Sequence, residues 1–288
     1  MDCKPYIRAH ADELIESLAA LIRIPSVEGT PEDGAPYGRE VARCLEEALA
    51  LGGRMGFRTH NMDGRVGWCE YGEGDEMIAV LSHLDVVPAG DGWAEAGPFS
   101  GEVKNGRIYG RGAMDDKGPA VASLYALAAL KEAGFAPSRR IRILFGTNEE
   151  TGCGDMAWYR EHGGEMPAMG FTPDGEYPII NGEKGIMNCT YARRLHQTGA
   201  YRLRRFEGGT ASNVSPAYAV AELDCPADAA GRIAADKVTV TPVEGGIRVE
   251  AQGVSAHGST PEQGENAIGR LAQALCQLPL EGELGDCM

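Results

Sequence analysis

The stretch MIAVLSHLD, residues 77–85, runs six residues without a charge and then breaks into His83 and Asp85. A short apolar run ended this way reads as a buried strand opening into a loop. Downstream, PAVASLYALAALKEA (119–133) is apolar on nearly every face, the mark of a buried helix. Pro119 suits its first turn and Gly134 its C-terminal cap. IRILFG (141–146) is a second apolar strand, ending at TNEETG, and MGFTPD (169–174) is a third short run ending at Asp174. Strand–helix–strand alternation with continuously apolar strands predicts an α/β fold around a parallel-rich sheet. Its polar residues gather where strands end, and open α/β sheets bind ligands beyond the carboxyl ends of their strands.

Working outward, residues 8–23 and 38–51 read as helices. In the second, Val41, Cys44, Leu45 and Ala48 recur at i, i+3, i+4 and i+7. The segment between them, VEGTPEDGAPYG (27–38), is a loop. After residue 184 the texture changes. KGIMNCTYARRL, YAVAELDC, KVTVTP and GIRVEAQG alternate as half-buried strands do, with Glu244-Gly245-Gly246 as a turn joining the last two. Ile268, Leu271, Ala272, Leu275 and Leu278 mark an amphipathic helix stopped by Pro279. Two domains follow, 1–183 and 184–288, the second of α+β type.

The chain has 288 residues, 43% hydrophobic and 24% charged, a globular composition. A net charge of −15 argues against nucleic acid, whose phosphates need Lys and Arg. There is no apolar run of membrane-spanning length, and the charged start MDCKPYIRAHADEL is unlike a signal peptide, so the expected location is cytoplasmic. Eight cysteines are spread without a CxxC, which predicts reduced, mostly buried thiols.

The residues that carry chemistry sit at the strand ends. His83 and Asp85 are two apart, so on a strand they share a side, and a metal-bound imidazole commonly donates its second N–H to a carboxylate. Asp115 and Asp116, in a glycine-flanked turn before the buried helix, serve either as helix caps or as cation ligands near the positive end of the helix dipole. Glu149 and Glu150 are adjacent carboxylates at a strand mouth, where repulsion calls for a cation or a shared proton. One such carboxylate can bind metal while its neighbour accepts a proton. A solvated acidic turn is the plainer reading. One histidine with several carboxylates suits zinc, or manganese and cobalt as substitutes.

SHLDVVPAGDGW (82–93), GRIYGRGAMDDKGP (106–119), GTNEETG (146–152), TPDGEYPIINGEKG (172–185) and GVSAHGSTPE (253–262) together resemble the PepV-type dipeptidases. These are members of the co-catalytic zinc metallopeptidase family of carnosinases, aminoacylases, carboxypeptidase G and succinyl-diaminopimelate desuccinylases. The resemblance implies a zinc-exopeptidase-like mixed sheet flanked by helices, with an inserted lid domain. It implies that His83 and Asp174 bind one zinc and Glu150 a second. Asp115 would bridge the two and join Asp116 through a cis bond. Glu149 would be the general base toward the attacking water, and Asp85 would orient His83. His257 and Asn213 (in GTASNVSP, 209–216) would be lid contacts to the substrate. It further implies a dipeptide substrate and a monomer, with self-association where apolar surface is left bare.

The family pattern also calls for a late histidine on the second zinc. The histidines here are 10, 60, 83, 162, 196 and 257, and none follows the last. The expectation is therefore a C-terminally truncated member, with an incomplete catalytic half and lid and reduced activity. Deacylation of N-acyl amino acids by the same metal pair is the alternative chemistry; an inactive fragment is the alternative from outside enzymology.

Overall fold

The structure, a computed structural model, describes residues 2–287 apart from 91–92, 176–177, 183 and 186. The chain divides into two compact units, Met1–Asn181 and Gly182–Met288. In the first, helices α1 (Lys4–Ala9), α2 (Ala11–Ile22) and α3 (Arg39–Arg54) precede strands β1 (Arg58–Met62), β2 (Val66–Tyr71) and β3 (Met77–His83). A small hairpin, β4 (Glu102–Lys104) with β5 (Arg107–Tyr109), leads into α4 (Lys117–Glu132), β6 (Arg140–Gly146), α5 (Gly154–Glu161) and β7 (Met169–Phe171). Five strands form a mixed sheet in the order β1-β2-β6-β3-β7. Pairing is antiparallel from β1 to β6 and parallel across β6-β3 and β3-β7. The parallel register sets His83 opposite Gly146, so the ends of β3 and β6 lie level.

Side chains alternate across a strand, which gives this sheet two apolar faces. Ile143 and Phe145 of β6 pack under Leu21 and Ile22 of α2, Leu45 of α3 and Leu124 of α4. Leu144 turns to the opposite face, against Val66, Met77 and Tyr159 of α5. Each such side chain, once buried, contributes about 1.5–3 kcal/mol. One network of buried charge lies on β2 and β6. Glu70 accepts hydrogen bonds from Arg142 Nε at 2.8 Å, Arg140 Nη1 at 3.1 Å and Arg58 Nη2 at 3.1 Å. Arg142 also donates to Glu165 at 3.0 Å and to the Tyr159 hydroxyl at 3.2 Å, with its guanidinium 4.6 Å from the Trp68 ring centre.

The second unit is α+β. It contains β8 (Arg202–Gly208), β9 (Val214–Ser215), β10 (Tyr218–Asp224), β11 (Val238–Val243), β12 (Gly246–Gln252), β13 (Ala256–His257), α6 (Ala267–Leu275) and α7 (Glu283–Cys287). Four strands make an antiparallel sheet in the order β11-β12-β10-β8. Leu271 and Leu275 of α6 pack on Ala219, Leu223, Ile247 and Val249. The β11–β12 turn places Gly245 at φ +75°, a conformation that favours glycine. Asn266 caps α6, its side chain accepting from the backbone N–H of Ile268 and Gly269.

Several expectations need correcting. The helix expected over 8–23 is two helices, because His10 leaves helical geometry and its ring nitrogen lies 2.9 Å from the Tyr6 carbonyl. The alternating segment 184–195 forms no strand among its described residues; Met187 and Tyr191 are 85% and 92% exposed, so no neighbouring surface rewards the alternation. The run 169–174 is strand only over Met169–Phe171, and it is an exposed edge rather than a buried strand. The cysteines are not mostly buried. Of the seven whose side chains are described, all free, only Cys44 and Cys69 are buried, while Cys153, Cys189 and Cys276 are exposed. Cys287 lies outside the described side chains, as do parts of the 82–93 and 172–185 motifs. Among the described residues no helix is long and apolar enough to cross a membrane.

Candidate metal centre

β3 delivers His83 to the carboxyl end of the sheet, where the ring is buried to 3% exposure. Its backbone N–H donates to Asp116 Oδ2 at 3.0 Å. Its Nδ1 lies 3.0 Å from the Asp85 carbonyl oxygen and 3.4 Å from Asp85 Oδ1. With acceptors on that side, Nδ1 carries the proton of a neutral ring and Nε2 is left with its lone pair. Nε2 nonetheless faces further oxygen atoms: Asp115 Oδ1 at 3.0 Å, Asp174 Oδ2 at 3.4 Å and Glu149 Oε2 at 3.9 Å. Lone pair against carboxylates is repulsive unless a proton or a cation lies between them. Burial opposes an imidazolium here, but the hydrogen bonds to Asp115, Asp174 and Asp85 outweigh it and hold His83 well above its usual range.

The two glutamates are placed by Asp85, which is 1% exposed. Its Oδ1 accepts the Glu149 N–H at 3.1 Å and its Oδ2 the Glu150 N–H at 3.0 Å. The same turn is held from below by Asp155, whose Oδ2 accepts from the backbones of Thr147 (2.6 Å) and Asn148 (3.2 Å). Asp155 was missed in the sequence; the only signal was an acid at the start of a short helix, which normally means a cap. Asp115 and Asp116 reach the site from the N-terminus of α4, joined by a cis peptide bond.

The carboxylates are electrostatically crowded. Burial first, then the charge of Asp115, pushes Glu150 up to about 7. Burial, and then the charge of Asp174, does the same for Asp116, also to about 7. Glu149 is raised by burial, with Asp174 and Asp85 adding to it against the pull of His83. Asp115 is lowered, by its hydrogen bond to His83.

These residues fit a divalent cation on two counts. His83, Glu149 and Asp174 bring three donor atoms within 4.8 Å of one another, and so do His83, Asp115 and Glu150. Asp116 is fully buried, and its Oδ1 has no hydrogen-bond partner among the described residues. One imidazole with hard oxygen donors is the chemistry of zinc, manganese and cobalt sites. Six sequence candidates, His83, Asp85, Asp115, Glu149, Glu150 and Asp174, are therefore brought together. Asn213 and His257 belong to the second unit, where β13 pairs His257 with Val214, the residue after Asn213.

The chain is 40% identical to YtjP of Bacillus subtilis (strain 168), which carries a provisional dipeptidase name, over 96% of this chain and 61% of that one. It is 35% identical to the Beta-Ala-Xaa dipeptidase of Lactobacillus delbrueckii subsp. lactis, over 98% of this chain and 62% of the relative. The chain thus spans about three fifths of the length of these relatives. In fold it resembles human carnosine dipeptidase 1, with a TM-score of 0.52 at 23% identity over 61% of this chain and 41% of that one. The sequence pattern of peptidase family M20/M25/M40 matches residues 79–270, which span every residue of the centre, and the chain belongs to that family.

Proposed function

We propose that this chain carries the metal centre of a dipeptidase of the PepV-like branch, hydrolysing the amide bond of dipeptides. The observation that supports the reading most is His83 Nε2 facing Asp115, Asp174 and Glu149, with Glu150 grouped beside Asp115. His83, Asp115, Glu150 and Asp174 would hold the metal, zinc by donor type. Bound there, a divalent cation supplies Lewis acidity and lowers the pKa of water. The remaining steps belong to the protein. Glu149, half-exposed and raised by burial, is the base that takes a proton from the attacking water and returns it to the leaving amine. Asp85 fixes the His83 ring and both glutamate N–H groups at once. His257 would supply a contact to the substrate's carbonyl oxygen, and Asn213 a further contact to the substrate.

The test is metal analysis and titration calorimetry of wild type and His83→Ala with zinc, manganese and cobalt. Wild type is expected to bind and the variant to bind far more weakly; equal content in both would end the metal reading. Hydrolysis is then assayed on dipeptides, including β-alanyl ones of the kind named in the Lactobacillus relative, against N-acyl amino acids. Preference for the latter would replace dipeptidase with deacylase.

A further inference from the structure

In the second unit the short strand β13 ends at His257, and the ring's proton is set by its neighbours. Nδ1 of His257 receives the backbone N–H of Ser259 at 3.2 Å and lies 2.7 Å from the Ser259 hydroxyl. A backbone N–H can only donate, so Nδ1 is the acceptor, and a neutral ring then carries its proton on Nε2. A proton on Nδ1 would instead point at the amide hydrogen. The Ser259 hydroxyl faces the same nitrogen at the shorter distance and is the stronger of the two donors, the backbone N–H at 3.2 Å being the weaker. Ser259 is itself restrained. Lys184 Nζ donates to its carbonyl oxygen, and the neighbouring Gly258 N–H donates to the Asn213 carbonyl at 2.6 Å.

We propose that Ser259 is a positioning residue that locks His257 in the Nε2–H tautomer, so that this exposed ring meets its substrate as a neutral hydrogen-bond donor. The inference rests on the reading of His257 as a substrate contact. A neutral donor suits an oxygen on which negative charge develops. The same tautomer cannot accept a proton at Nε2, so the base role stays with Glu149. Lys184 acts at one remove, by holding the Ser259 backbone.

The test reads the ring itself. In the full chain, labelled with nitrogen-15, a long-range proton–nitrogen spectrum assigns His257 by its absence in His257→Ala. Wild type is expected to show a protonated Nε2 and an acceptor-type Nδ1. Ser259→Ala should shift the ring toward a mixture of tautomers, and Ser259→Thr, which keeps the hydroxyl, should restore the wild-type pattern. Nδ1 protonation in wild type, or an unchanged ring in Ser259→Ala, overturns the proposal. Turnover separates it from the reading beneath it. Should His257→Ala hydrolyse dipeptides like wild type, the substrate contact fails while the tautomer assignment stands. Where His257 does matter, Ser259→Ala should lower kcat on the order of 10-fold, the scale for groups that orient a working histidine.

Discussion

Replacing Glu70 with glutamine removes the anion from the centre of the arginine network while keeping its shape. Glu70 is 8% exposed and Arg142 6%, so the Glu70–Arg142 pair is largely shielded from solvent. Removing one partner of a buried pair costs about 3–5 kcal/mol, mostly for the charge left behind. Two features reduce that here. Glutamine retains one acceptor oxygen, and Glu165 still faces Arg142 at 3.0 Å, although its side chain is 38% exposed and correspondingly screened. The expected loss is about 2–3 kcal/mol. For a unit of this size roughly 2–4 °C of Tm goes with each kcal/mol, which predicts a fall of about 4–12 °C at neutral pH. Burial opposes ionisation of Glu70, but hydrogen bonds from Arg142 and Arg58 outweigh it and hold the carboxyl below its ordinary value. A depressed folded value means the stabilisation is complete above the unfolded glutamate value of about 4.3 and fades as pH falls through the folded one. Thermal unfolding of wild type and Glu70→Gln, followed by circular dichroism at about pH 7 and again at about pH 3, should therefore show a gap that narrows in acid. Equal Tm at neutral pH, or a gap just as wide in acid, would refute the argument.

In a full-length, active form, Glu149→Ala should lose turnover by roughly 10²–10⁴, the usual scale for an acid–base group, with metal content nearly unchanged; loss of the metal instead would mean that Glu149 and Glu150 exchange roles. Asp85→Ala should weaken metal binding by about 10–100-fold, read by calorimetry with manganese, and wild-type affinity would show that the turn and the ring hold without it. Asn266→Ala removes the cap of α6 and should destabilise the second unit by about 1 kcal/mol, seen as faster amide exchange in the first turn of the helix; unchanged exchange would mean that the α6 contacts with the sheet alone hold that end.

The strands that reach the centre were legible because they are short, mostly apolar runs that give way to polar residues. MIAVLS and IRILFG announce β3 and β6, and the residues that follow each carry the centre's donors. The parallel register that sets His83 level with Gly146 is a property of the sheet, and no periodicity contains it. β1, RTHNM, lies at the sheet's other edge with four of five residues exposed, so it shows neither an apolar run nor alternation. The segment 184–195 fails in the opposite sense: it has the alternation and, among its described residues, no strand pairing. Asp155 was invisible as a support because its partners are backbone N–H groups of a turn whose shape the sequence does not spell out.

Asp85 holds two amide hydrogens with its two oxygens and faces the His83 ring as well. Three functional side chains thus hang from one carboxylate, and they form a single mutational unit. Substitutions at Asp85, Glu149 and Glu150 will not sum, since any one that lets the turn relax also removes what the others contribute. An alanine scan would assign the same loss several times over, and only double-mutant cycles can apportion it. The same sharing constrains redesign: a new ligand at position 150 inherits its aim from Asp85, so the turn and its anchor have to be exchanged together.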